Sequence, residues 1–200
     1  MDAEMREKIT MGLMVGCLLL AIVAMFTTSW LTDDDVNMSL STIYAEADSK
    51  EECEMTADMM DGYECDGKML SVSYSDAEGA CEAMAEAMGG DDSDCAEMGE
   101  AATAGMVGTI CMWLGIVMAL VMVLMAVLPM AGVDAMDNLP DMVGMVASWA
   151  AGGLMLLGVV LWLVLLPDGD SSMGYSAYLA IVGGLMGLGS TGMNTFMADE

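Results

Sequence analysis

The sequence predicts an all-α membrane protein: an antiparallel bundle of four transmembrane helices, with a small disulfide-stapled external subdomain of short strands and a short helix between helices 1 and 2. Three observations predict it. The 200 residues are 56% hydrophobic with a mean hydropathy of +0.59, yet the formal net charge is −27. Apolar and charged residues are segregated: no charge lies from Ile9 to Leu31, Ala101 to Val133, Met142 to Pro167 or Ser171 to Ala198. Residues 32–100 hold 21 of the 31 acids, two of the four basic residues and four of the six cysteines.

The apolar runs are placed at 9–31, 105–128, 142–166 and 175–197. None carries a polar face at helical spacing, as a surface helix of a soluble bundle would. Each exceeds the ~20 residues needed to cross a ~30 Å hydrocarbon core. The first run follows Arg6 and Lys8. It is longer than the ~7–15-residue apolar region of a signal peptide, and no small-x-small cleavage pattern ends it, so it is expected to remain a span. Trp30, Leu31 and then Asp33, Asp34 and Asp35 mark its exit from the bilayer.

Arg6 and Lys8 are the only basic residues in a short segment beside a span, which places the N-terminus, 1–8, in the cytoplasm. Four spans then return residues 198–200 to the cytoplasm. The 32–104 loop is external, the 129–141 loop is cytoplasmic and the 167–174 loop is external. The expected location is the plasma membrane. Trp30, Trp162, Tyr175 and Tyr178 fall at the external face as an interfacial belt, with Phe196 at the other face.

Within the external block, "VNMSLSTIY" (36–44) and "KMLSVSYS" (68–75) alternate and read as two strands. "SDAE" (75–78) has the capping-box spacing and starts a short helix with Cys81, Met84, Ala85 and Met88 on one face, ended by Gly89 and Gly90. "DDSD" (91–94) then leads into an extension of the second span. Cys53, Cys65, Cys81 and Cys95 suit an oxidising compartment. Four cysteines allow three pairings, and the sequential one, Cys53–Cys65 with Cys81–Cys95, closes the shortest loops. Their wide spacing lacks the Cys-x-x-Cys of a thiol oxidoreductase, which leaves that activity a third reading. Cys17 and Cys111 fall within spans as packing residues.

The chain has no histidine, no acid or base within a span and no phosphate-binding loop after a strand. Neither catalysis nor a cofactor is expected. A partner nucleic acid is not expected of so acidic a chain. The acidic loop offers two weak sites for divalent cations: Asp33, Asp34 and Asp35, and Asp91, Asp92 and Asp94. Met55, Met59 and Met60 offer soft ligands for Cu(I). A solvated face and a methionine-rich composition, 27 of 200 residues, are the plainer accounts of these features.

Every span has small residues four apart: Gly12 and Gly16; Cys111, Gly115 and Ala119; Gly144, Ser148 and Gly152; Gly183 and Gly187. Such faces let backbones approach closely in lipid, so one compact bundle is expected. Folding the last two spans about residue 171 sets Ser148 level with Asn194 and Gly152 level with Ser190. Asn194 then bonds either Ser148 or interfacial water.

Trp30 at the end of a first span, followed by Cys53 and Cys65 in a large first external loop, with both termini inside, resembles the claudin and peripheral-myelin-protein type of tetraspan protein. The Gly-Leu-Trp that precedes the first cysteine in that family is absent here. The resemblance implies a small external sheet stapled by one disulfide. It also implies a structural or adhesive role, or one as an accessory subunit, with the bilayer, other membrane proteins or a second copy as partners. The alternative is a component of a cation channel or transporter.

Overall fold

The computed structural model describes residues 3–33, 36–89, 93–128, 132, 141–167 and 172–196. In chain order the described elements are α1 (Ala3–Phe26), β1 (Leu31–Asp33), β2 (Val36–Met38), β3 (Thr42–Glu46), α2 (Lys50–Met59), β4 (Tyr63–Asp66), β5 (Met69–Ser73), α3 (Tyr74–Met88), α4 (Ser93–Val127), α5 (Asp141–Leu165), β6 (Ser172–Met173) and α6 (Tyr175–Phe196). Four of these, α1, α4, α5 and α6, are long and apolar enough to cross a membrane, the build of a multi-pass membrane protein. The all-α description needs correcting, because the strands form a six-stranded antiparallel sheet in the order β4-β5-β3-β2-β1-β6.

The chain divides into two compact units: residues 1–26, 110–160 and 178–200 form the first, and 27–109 with 161–177 the second. In the first unit the helices meet through small residues. A Cβ on Gly152 would lie 2.5 Å from the Gly184 carbonyl oxygen and 2.6 Å from the Leu188 nitrogen, so α5 and α6 pack backbone to backbone. Gly183 sets α6 against Leu20 and Cys17 of α1, and Gly115 sets α4 against Ala151 and Met155 of α5. Phe26 and Trp113 close the ring edge to face, with centroids 6.4 Å apart. The interior is filled by small and flexible apolar side chains, among them Cys17, Ala21, Met112, Ala119, Ala151, Met155 and Ala180.

In the second unit, hairpins build the sheet. Gly67, with φ +68°, opens the two-residue turn from β4 to β5. The stretch 36–44 is not one strand. The Ser39 hydroxyl accepts the Thr42 amide at 3.0 Å, which reverses the chain and makes β2 and β3 a hairpin. At the end of β5 the helix starts earlier than expected. The cap is Ser73, which accepts the Asp76 amide at 3.1 Å, and Ser75 and Glu78 lie inside α3. Gly89 ends α3 in the left-handed conformation, as expected.

The first helix is shifted toward the N-terminus, Ala3–Phe26 against the expected 9–31. It ends at Phe26, and Leu31 belongs to β1. The Trp30 amide donates to the Met38 carbonyl, and the Gly174 amide donates to the Trp30 carbonyl. The hydroxyl-rich and β-branched stretch from Thr27 to Ser29 leaves the helix and feeds the sheet.

Candidate functional site

Ser49 caps α2 by accepting the Glu52 amide, and Cys53 one turn on is fully buried. It is bonded to Cys65 of β4, so this disulfide fastens α2 to the edge of the sheet. Cys81 of α3 is bonded to Cys95 in the first turn of α4. The pairing is the sequential one. Both disulfides lie in the second unit, and the remaining cysteines, Cys17 and Cys111, are free thiols in the apolar helices.

Of the four aromatic side chains expected as an interfacial belt, two are exposed and two are buried. Tyr175 and Tyr178 are exposed, at 54% and 55%. Trp30 and Trp162 are instead buried to 0% and 1% and meet edge to face, with centroids 5.2 Å apart. Such a pair contributes about 0.5–1.5 kcal/mol beyond its burial. Around them, Gly108 lies against Leu40 and Trp162, Gly105 lies against the Leu40 carbonyl, and Gly174 lies against Ser29. This tryptophan centre joins β1, the β2–β3 turn, α4, α5 and β6. The sequence reading missed it, because Gly105, Gly108 and Gly174 carry no four-residue spacing that marks them.

The small-residue faces are mostly, not wholly, where they were expected. Gly16, Gly115, Gly152, Gly183 and Gly187 make close approaches, Ala119 is fully buried and Gly144 makes an ordinary contact with Met125. Gly12 is exposed and a Cβ there would meet nothing, so it is not a packing position. Gly152 meets Gly184 and Gly187 rather than the level of Ser190. The Ser190 hydroxyl donates to the Thr10 carbonyl of α1 at 2.9 Å. Ser148 donates to the Met145 carbonyl of its own helix at 2.9 Å, which is the bond a lone hydroxyl in a helix can always make, so Asn194 does not take it.

Of the candidate cation ligands, Asp33 is exposed on β1, while Asp34, Asp35, Asp91 and Asp92 and the Asp94 side chain lie outside the described residues. Among the described residues no three Cys, Asp or Glu side chains gather as metal ligands do. Met55 and Met59, one turn apart on α2, are exposed at 58% and 71%, and Met60 is the residue after the helix. On α3 the buried residues are Tyr74 and Ala77 at its start, while Met84 and Met88, further along the same face, are exposed. Burial pushes the Tyr74 phenol up to about 12, and its hydroxyl lies 3.4 Å from the Ser39 carbonyl, to which it donates. Compared with known proteins, the chain matches no family model and no curated protein.

Proposed function

We propose that the protein is a non-enzymatic membrane component that holds a rigid acidic ectodomain at a membrane surface, in a structural, adhesive or accessory-subunit role of the claudin type. The observation that carries this reading is that, among the described residues, no buried polar side chain of the helix unit lacks a partner. Its buried polar side chains Ser148, Ser190 and Thr191 each donate to a helix carbonyl, and so does Thr10. A transport path usually places acids or bases inside the bundle, and the charge-free runs contain none. The ectodomain has two disulfides, and the unit that holds it has a tryptophan centre, the features of a surface kept in shape for contact. We place 32–104 outside the plasma membrane and both termini in the cytoplasm, on the strength of Arg6, Lys8 and the disulfides.

Reconstituted into vesicles, the protein should hold a cation gradient as well as empty vesicles do. Mild-detergent extraction of native membranes should recover it in a species larger than the monomer. A conductance above the empty-vesicle level would favour the second reading, a cation channel or transporter component that takes up copper at Met55 and Met59. That reading rests on their shared exposed face.

A further inference from the structure

A cavity of about 350 Å³ opens in the helix unit, between α1, α4 and α6. It lies at the start of α1 and at the ends of α4 and α6, so all three helices present the same end to it. Its lining is divided. Arg6, Glu7 and Asn194 supply charge and an amide, while Met11, Met14 and Met122 supply an apolar wall. The division follows the sequence, because the charge-free run begins at Ile9. From Arg6 to Met14 the helix rises ~12 Å, the depth over which a headgroup gives way to acyl chain. Thr10 and Ser190 also line the cavity, but their hydroxyl protons are committed to the Glu7 and Thr10 carbonyls. Among the described residues the Asn194 amide makes no hydrogen bond and the Glu7 carboxylate no ion pair. Both side chains are exposed where they line the cavity, and Arg6 beside them already has an interaction of its own.

We propose that this cavity holds one zwitterionic phospholipid with a primary ammonium headgroup. Its phosphate lies at Arg6 and the Asn194 amide, its ammonium at Glu7, and the first part of an acyl chain beside Met11, Met14 and Met122. The guanidinium matches a phosphate in shape and charge. Glu7 in the same cavity opposes a net anion, and the −27 of the chain adds to that opposition. A primary ammonium donates hydrogen bonds to a carboxylate, and a quaternary one has none to donate. The methionine wall selects an amphiphile over a soluble phosphate. The proposal rests on α1 and α6 being membrane spans and not on which side faces outward.

The test uses the full chain in nanodiscs holding equal parts of phosphatidylethanolamine, phosphatidylcholine and phosphatidylglycerol, with the lipid retained after mild delipidation counted by mass spectrometry. Phosphatidylethanolamine should be retained roughly tenfold over either competitor, the scale of one charge-assisted hydrogen bond. Glu7→Gln should erase the preference over phosphatidylcholine while retention of both persists, and Asn194→Leu should weaken retention of all three. Equal retention of the three lipids, or a preference unchanged in Glu7→Gln, would overturn the proposal. Competition by soluble phosphoethanolamine as effective as by the lipid would overturn it too, in favour of a soluble phosphate ester. Failure of the span reading shows separately, as release of the protein from membranes by alkaline carbonate.

Discussion

Single atoms decide much of this fold. Gly152 and Gly153 are adjacent on α5, yet a Cβ on the first would press into the Gly184 and Leu188 backbone, and on the second it would meet nothing. Gly152→Ala should therefore destabilise the helix unit by about 1–3 kcal/mol, the usual cost of overpacking, while Gly153→Ala leaves it unchanged or slightly firmer. Thermal unfolding in one detergent compares them directly. Tyr74 gives a second test. An unfolded tyrosine loses its proton near pH 10, whereas burial holds Tyr74 protonated up to about 12. Its contribution is complete below pH 10 and is lost as pH rises through that window, because the unfolded chain then binds fewer protons. Absorbance titration should show one of the five tyrosines ionising last, and Tyr74→Phe should remove that late step.

At the scale of elements, the sheet depends on segments far apart in the chain. The strand β6 has only two residues, and it is held by Leu31 opposite Met173 and Thr32 opposite Ser172. Gly174 follows with its backbone against the Ser29 carbonyl, where no side chain fits. Gly174→Ala should detach β6, seen as loss of amide protection at position 174 and at Ser176, which donate to the Trp30 and Ser29 carbonyls, with the other strands retained. The Cys81–Cys95 disulfide ties α3 to α4 across a separation of 14 residues. A loop of that size is worth about 3 kcal/mol, so the Cys81→Ser, Cys95→Ser double variant should lose stability on that order and release α3 first. A reduced wild type that unfolds at the same temperature as the oxidised protein would refute this.

At the scale of the molecule, α4 is the longest element, 35 residues or ~52 Å. A hydrocarbon core takes up ~30 Å of it, so the turns that carry Glu97 and Glu100 stay in water. The proposed orientation then gives a direct expectation. In intact cells a cysteine placed at Glu46 should react with an impermeant thiol reagent, and one placed at Gly132 should not. Labelling at Gly132 would invert the topology, and with it the proposed external ectodomain.

Patterning along the chain determined the four apolar helices, the acidic block and its cysteines, because a span must be ~20 residues free of charge wherever its neighbours lie. Sequential pairing was legible for a related reason, since short loops close most readily. What only the tertiary structure decided is every feature set by partners distant in sequence. Trp30 reads as an interface residue until Trp162 is beside it, and β6 is too short to carry any periodic signal. Gly12 and Gly152 look alike in the sequence, and only the neighbouring helix makes one a contact and leaves the other bare. Asn194 likewise had two partners open to it. The Ser148 hydroxyl bonds its own helix, and the Asn194 side chain stays exposed on the cavity that Arg6 and Glu7 also line, because a polar group near the end of an apolar helix turns to where water or polar groups reach it.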